Sequence, residues 1–315
     1  MLSETRLCLV NLDTGEVVRE IGEGCDITVR TSKQRAAALR SSWKNAMAVR
    51  KFLDNPEGSR KDEPFIWFRC CRGAPLPTDL GNADLVRLFF LATFMNYDGV
   101  LACDKHPLTV KRCADLLGIS YGVTNAMINR LIDTGMFTKS NGVLKMKDTW
   151  FYKGGLTSRW ARTVGGQPAS TVRIYCDALR RIYSQYPAKN IGNFSYILRL
   201  IPYLRREPNT CCLFPAADDI GTAMPMTANM AARLLGVSSG NYAWFRDILT
   251  SPALVLPDGS PAVSQTKIAD MYDDKQYIFL NPNLVYGGQD ATAAAQFGGF
   301  GVKELTTDNK GCDEA

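Results

Sequence analysis

Apolar and polar residues alternate through "RLCLVNLDTGEVVREIG", residues 6–22, around Asp13-Thr14-Gly15, the pattern of a β-hairpin. From Thr31 the period becomes helical. Leu39, Trp43, Ala46 and Leu53 share one face of "TSKQRAAALRSSWKNAMAVRKFL", and the basic residues fall largely elsewhere. A turn-rich "DNPEGSRKDEP" precedes a short strand, "FIWFRC", and the apolar run from Asp84 to Tyr97 predicts a buried helix closed by "NYDG".

Next comes "PLTVKRCADLLGISYGVTNAMINRLIDTGMF", Pro107 to Phe137. Thr109 can cap a first helix that stops at Gly118, and Ser120 can cap a second that ends at "DTG". Two short helices joined through Gly-Ile-Ser predict a helix-turn-helix. "MFTKSNGVLKMKDTWFY" then places two extended runs around Asn141-Gly142, a hairpin turn, so that helix, helix-turn-helix and hairpin compose a winged helix.

The pattern returns 118 residues later as "PMTANMAARLLGVSSGNYAWFRDILTSPALV". The pairs Pro107/Pro225, Thr109/Thr227, Leu117/Leu235, Gly118/Gly236, Ser120/Ser238, Gly122/Gly240 and Leu131/Leu249 are identical. These are capping, turn and core positions, as expected of a duplicated unit. "SYILRLIPYLRRE" stands where "DLVRLFFLATFMN" stood, the second wing is longer, and the exits "WFYKGG" and "NLVYGG" correspond. Between the copies, "STVRIYCDALRRIYSQY" sets Val172, Tyr175, Leu179, Ile182, Tyr183 and Tyr186 on one helical face. The predicted fold is therefore mainly α with small β hairpins (α+β), a tandem duplicated winged helix-turn-helix. Its segments are an N-terminal hairpin element (1–30), a basic amphipathic helix and linker (31–82), winged helix 1 (83–156), a basic connecting helix (157–192), winged helix 2 (193–290) and a flexible tail (291–315).

Charge sharpens this. The net charge is +6 over 315 residues, unevenly spread. Thr28–Leu53 holds seven basic residues and no acidic one, Thr157–Arg206 holds nine against Asp177 alone, and after Arg206 six basic residues face thirteen acidic. Cationic stretches bracketing a helix-turn-helix suit a polyanion's phosphates. In the second helix of copy one, Val123, Met127, Leu131 and Ile132 are expected inward, leaving Tyr121, Thr124, Asn125, Asn129 and Arg130 outward. Asn can pair bidentately with adenine and Arg with guanine, and the Ser120 and Tyr121 hydroxyls suit phosphates. Lys111 and Arg112 on the preceding helix, and Lys139, Lys145 and Lys147 in the wing, suit backbone contact. Copy two offers Ser239, Asn241, Tyr242 and Arg246, but Trp244 and Phe245 add bulk and its wing carries Asp270, Asp273 and Asp274. Base reading, a weaker DNA contact and dimerisation all remain open for it.

No catalytic constellation is found. A single histidine, His106, cannot build the His-hydrophobe-His site of rolling-circle nickases, and there is no G-x-x-x-x-G-K-[ST]. The ten cysteines form no C-x-x-C pair and are expected as reduced, buried thiols. The expectation is no enzyme, no cofactor and no metal. No apolar run reaches membrane-spanning length and no secretory signal is visible, which predicts a cytoplasmic protein without membrane contact. Its expected partner is double-stranded DNA, with a second copy of the chain and the host replication or transcription machinery as further candidates.

The first copy, "DLLGISYGVTNAMINRLIDTGMF" with its wing and "WFYKGG", resembles the RepL-type replication proteins of Firmicute plasmids and, more loosely, MarR-like regulators. "YIFLNPNLVYGG" is similar to the RepL-type ending, and "VNLDTGEVV" to short N-terminal hairpins in that group. Two copies occur in initiators of the two-winged-helix plasmid class. The resemblance implies origin binding for a plasmid or phage, without nicking. A transcription regulator of a mobile element would use the same residues, and a winged-helix assembly factor would use the same fold without DNA.

Overall fold

The computed structural model describes residues 7–10, 17–21, 64–76, 80–104, 106–154, 163–164, 167–217, 219–268, 274–288 and 291–300. The chain divides into two compact units, Met1–Asp54 and Asn55–Ala315. In the first, β1 (Leu7–Val10) pairs antiparallel with β2 (Val17–Ile21), as the alternation predicts. The basic helix expected over 31–53 lies outside the described residues.

The second unit mixes helix and sheet. In chain order it contains β3 (Phe65–Cys71), α1 (Asn82–Ala92), β4 (Ala102–Cys103), β5 (His106–Pro107), α2 (Val110–Leu117), α3 (Tyr121–Asp133), β6 (Phe137–Ser140), β7 (Val143–Met146) and β8 (Phe151–Tyr152). After these come β9 (Thr163–Val164), β10 (Gln167–Tyr175), α4 (Cys176–Gln185), α5 (Ser195–Leu198), α6 (Ile220–Ala223), α7 (Ala228–Leu234), α8 (Tyr242–Leu249), β11 (Val263–Thr266), β12 (Tyr277–Leu280), β13 (Val285–Tyr286) and α9 (Ala291–Phe297).

A central sheet of order β13-β10-β3-β8, with β9 on β10, organises the unit. β3 alternates as a one-sided strand must: Ile66, Phe68 and Cys70 are buried, while Phe65, Trp67, Arg69 and Cys71 are half-buried. On the buried side Phe68 meets Phe89 of α1 at 4.9 Å and Phe151 of β8 at 5.3 Å, aromatic contacts that join sheet to helix. α1 packs against α5 and the 3-10 turn Ala188–Phe194 that precedes it. A Cβ on Gly192 would lie at ordinary contact distance, 3.4 Å, from Ala83 N and Asn82 Cβ at the start of α1. One hydrophobic core runs through the residues of both sequence copies.

The backbone hydrogen bonds repeat with the sequence. Ala102 N donates to Phe94 O at 2.9 Å and Cys212 N to Tyr203 O at 2.8 Å. Leu101 N donates to Leu144 O at 3.0 Å and Cys211 N to Ile278 O at 2.9 Å. Leu108 N reaches Leu101 O at 2.7 Å, and Met226 N reaches Cys211 O at 2.8 Å. Met146 N finds Gly99 O at 2.8 Å, and Leu280 N finds Asn209 O at 3.2 Å. Gly99 and Asn209 turn the chain at the same place with positive φ, 80° and 70°, a conformation open to glycine and tolerated by asparagine.

Several expectations are corrected. The connecting helix of 157–192 is a strand followed by a helix: β10 runs to Tyr175, pairing with β3 from Ala169 to Tyr175, and α4 starts only at Cys176. The β-branched Thr171, Val172 and Ile174 suit the sheet, and Val172 belongs to it rather than to a helical face. α1 ends at Ala92 instead of reaching Tyr97, and its counterpart in copy two is broken into α5 and a 3-10 turn, Ile201–Tyr203, carrying Pro202 near its start. The long second wing is two hairpins: Val255 bridges Pro261 across a Gly259 turn, and β11 then pairs with β12. The tail expected to be flexible from 291 begins as α9, with Ala294 and Phe300 buried; residues 301–315 lie outside the described ones.

Candidate nucleic-acid interface

The two helices α2 and α3 form through the local signals in the sequence. Thr109 Oγ1 accepts from Arg112 N at 3.3 Å, Gly118 closes α2 in the left-handed region at φ 64°, and Ser120 Oγ accepts from Val123 N at 3.4 Å. Ser120 is thus occupied as a cap. In the wing, Asn141 and Gly142 hold φ 50° and 78°, the mirror-image turn that matches strand twist. Two further contacts fix the unit to the body. Tyr183 Oη donates to Leu117 O at 3.0 Å while its ring stacks on Phe90 at 3.9 Å, and Arg130 pairs with Asp84 of α1, which also holds Arg87 at 3.0 Å.

The buried stripe of α3 is Thr124, Met127, Ile128 and Leu131, with Ile132 half-buried. Met127 and Leu131 are buried as expected, but Val123 is not, and Thr124 and Ile128 take places in the stripe. Val123 is 47% exposed, whereas Thr124 is fully buried, its hydroxyl donating to Ser120 O at 3.0 Å. Thr124 can enter the core because its polar atom is satisfied within its own helix turn. Asn125 is half-buried. The outward face consists of Tyr121, Gly122, Val123, Ala126, Asn129, Arg130 and Asp133. Gly122 and Ala126, a turn apart, make its centre shallow, and a Cβ on Gly122 would meet nothing within 4 Å. The sequence reading places Tyr121, Asn129 and Arg130 on this face but not Gly122, Val123, Ala126 or Asp133, although the shared Gly122/Gly240 pair was a signal for its shallow centre.

Lys111, Arg112, Lys139, Lys145 and Lys147 are all exposed. The wing lysines do not form one row: Lys139 pairs with Leu144 and Lys145 with Thr138, so the two project from opposite faces of the hairpin. Lys145, Lys147 and Lys153 line a cavity of about 340 Å³ between the wing and the 96–99 turn, with Tyr97, Asp98 and Asp148. Lys153 Nζ lies 5.9 Å from the centre of the exposed Tyr97 ring.

Four of the nine basic residues of 157–206 donate to backbone carbonyls of the body. Arg180 donates to Thr93 Oγ1 at 2.9 Å and Thr93 O at 2.7 Å, closing the end of α1, with its guanidinium 4.2 Å from the Phe94 ring centre. Arg173 donates to Gly288 O at 2.6 Å, Arg199 to Leu80 O at 3.4 Å, and Arg205 to Ala217 O. Arg181, Lys189 and Arg206 are exposed, and Arg159 and Arg162 lie outside the described residues.

In copy two, Thr227 Oγ1 caps α7 through Met230 N at 3.4 Å and Gly236 takes φ 75°, repeating the first copy. The second helix differs: a 3-10 turn, Ser239–Asn241, precedes α8, which has 8 residues against 13 in α3. Ser239, Asn241 and Arg246 are exposed and Tyr242 is half-buried. Asn241 Nδ2 donates to Ser238 Oγ at 3.1 Å, Phe245 is buried, and Trp244, 41% exposed, meets Tyr196 edge-on at 5.6 Å. In the second wing Asp274 pairs with Lys267 at 2.7 Å; Asp270 and Asp273 lie outside the described residues.

Among the described residues, no three His, Cys, Asp or Glu side chains gather as a metal site, and no helix is long and apolar enough to cross a membrane. Cys70, Cys113, Cys176, Cys211 and Cys212 are buried thiols. Burial pushes Cys70, Cys113 and Cys212 up to about 12 and Cys176 to about 11. No family model matches the chain, and no curated protein is similar to it.

Proposed function

We propose that the chain is a sequence-specific double-stranded DNA-binding protein built on two winged helices, a replication-initiator-like protein of a plasmid or phage that binds an origin and does not cut it. The observation that carries this is the outward face of α3. Gly122 and Ala126 leave it low enough to approach base edges, Tyr121 and Asn129 flank it, and Lys111 and Arg112 stand exposed on the preceding helix. A helix of this kind fits the major groove, with wing lysines reaching the neighbouring phosphates. An exposed helical glycine with open space around it costs up to about 1 kcal/mol relative to alanine, which suits close approach by a ligand better than packing. The resemblance of the first copy and the two exits to RepL-type proteins supports the origin assignment.

The reading is tested with the full chain by fluorescence anisotropy on duplexes recovered from the element that encodes it, followed by footprinting. Protection confined to an origin supports the proposal, and protection confined to promoters moves the role to transcription. Equal, weak affinity for all duplexes removes sequence-specific binding and favours protein assembly. Supercoiled DNA incubated with magnesium and the protein should stay unnicked.

A further inference from the structure

We infer that a single chain acts as an internal dimer whose two helix-turn-helix units meet DNA about one twofold axis, so that the site has inverted rather than direct symmetry. This deepens the DNA-binding reading and rests on it.

The axis is fixed by strand register. In one half, Trp67 of β3 pairs with Tyr152 of β8; in the other, Arg173 of β10 pairs with Tyr286 of β13. Trp67 and Arg173 therefore hold equivalent places, and they are also paired with each other across the central β3·β10 ladder. An antiparallel pair in which equivalent residues face one another has its local twofold through that pair, normal to the sheet. The details repeat on both sides. Trp67 Nε1 donates to Gly154 O at 3.1 Å, and the Arg173 guanidinium donates to Gly288 O at 2.6 Å. α1 meets its counterpart α5.

A tandem duplication alone permits direct or inverted placement of the readers. The antiparallel β3·β10 pairing selects the inverted one, because operator symmetry follows protein symmetry. Since α8 is shorter than α3 and starts with a 3-10 turn, the two half-sites should differ in base sequence while sharing the dyad.

Base sequence therefore cannot report the symmetry, but backbone protection can. Duplexes selected from a random library by the full chain are footprinted with hydroxyl radicals on both strands, and the complex is weighed by native mass spectrometry. The expected result is one chain per duplex, with protection on one strand, read 5′ to 3′, matching that on the other about a single centre. The two protected centres should lie about 10 bp, or a multiple, apart. Protected windows related by translation, a single window, or two chains filling the site would overturn the inference while leaving DNA binding intact. Failure to enrich any duplex would remove the DNA reading itself and the inference with it.

Discussion

Arg173 lies between two aromatic rings, its guanidinium 5.8 Å from the Trp67 centre and 5.6 Å from the Tyr286 centre, and its donation to Gly288 O ties the last strand of copy two to the centre of the sheet. Arg173→Met keeps the stem but removes the charge and leaves the Gly288 carbonyl without this donor. The expected cost is about 2 kcal/mol, combining a lost charge-assisted hydrogen bond with lost cation–π attraction. Trp67→Phe, which loses the bond to Gly154 O, should cost about 1 kcal/mol. Because the two side chains touch, a urea-unfolding double-mutant cycle should show coupling, and additivity within about 0.3 kcal/mol would mean that the two exits are held independently.

Arg130 is 53% exposed and Asp84 13%, so the pair itself should contribute no more than about 1 kcal/mol to stability. On the proposed DNA reading its effect falls on recognition, since a guanidinium held by Asp84 must leave that carboxylate to reach a base. Asn129→Ala should cost about 1–3 kcal/mol on the specific duplex, and Arg130→Ala less. Asp84→Asn should tighten binding to specific and random duplexes alike, by releasing Arg130 and removing a negative charge. Anisotropy on both duplexes decides: a loss for Arg130→Ala as large as that for Asn129→Ala, confined to the specific duplex, would make Arg130 a base reader.

The features legible in the sequence are those fixed within a few residues. The Thr109 and Ser120 caps, the Gly118 stop and the Asn141-Gly142 turn need no distant partner. Ser170–Tyr175 shows the opposite case. Val172, Tyr175 and Leu179 stand at spacings that a helix also satisfies, and only pairing with β3, about a hundred residues away, makes the segment a strand. The arginines were illegible for a similar reason. Composition records Arg180 and Arg199 as charge, but whether a guanidinium meets a carbonyl or a phosphate depends on what folds beside it. Thr124 and Val123 exchanged places because polarity is a poor guide to burial where a hydroxyl can bond its own helix.

Gly122 separates stability from recognition. A methyl group there meets nothing within 4 Å, so Gly122→Ala should stabilise the protein by about 0.5–1 kcal/mol through lower unfolded-chain entropy. Gly122→Leu should fold as well as wild type but lift α3 away from the bases, weakening specific binding at least tenfold. Thermal melts and anisotropy on the same preparations test both halves, and a Leu variant that binds normally would place the groove contact elsewhere on the helix.

The buried thiols predict an alkaline limit. Burial raises Cys70, Cys113 and Cys212 to about 12 and Cys176 to about 11, above their ordinary value near 9.0. Between those values the unfolded chain has lost protons that the folded chain keeps, so stability is full below pH 9 and falls as pH rises toward 12. The urea midpoint should drop from pH 8 to pH 10, with a shallower drop for Cys113→Ala. An unchanged midpoint would mean that these sulfurs ionise inside the fold without cost.

The pinned arginines and the exposed lysines should separate in their response to salt. Five cations, Lys111, Arg112, Lys139, Lys145 and Lys147, are exposed on the first helix-turn-helix and its wing, while Arg180 and Arg199 donate to carbonyls inside the body. If four of the five neutralise one phosphate each, the fifth facing away across the hairpin, log K should fall against log salt with a slope of about −3 to −4. Lys111→Ala or Arg112→Ala should each reduce that slope by about 1, equally on specific and random duplexes. Lys139 and Lys145 project from opposite faces of the hairpin, so only one of them should register for a given docking of the wing, and the one that does identifies which face meets the backbone. Arg199→Gln should lower the melting temperature and leave the slope unchanged. A slope that falls with Arg199→Gln and not with Lys111→Ala would move the phosphate track away from the helix-turn-helix and onto the body of the protein.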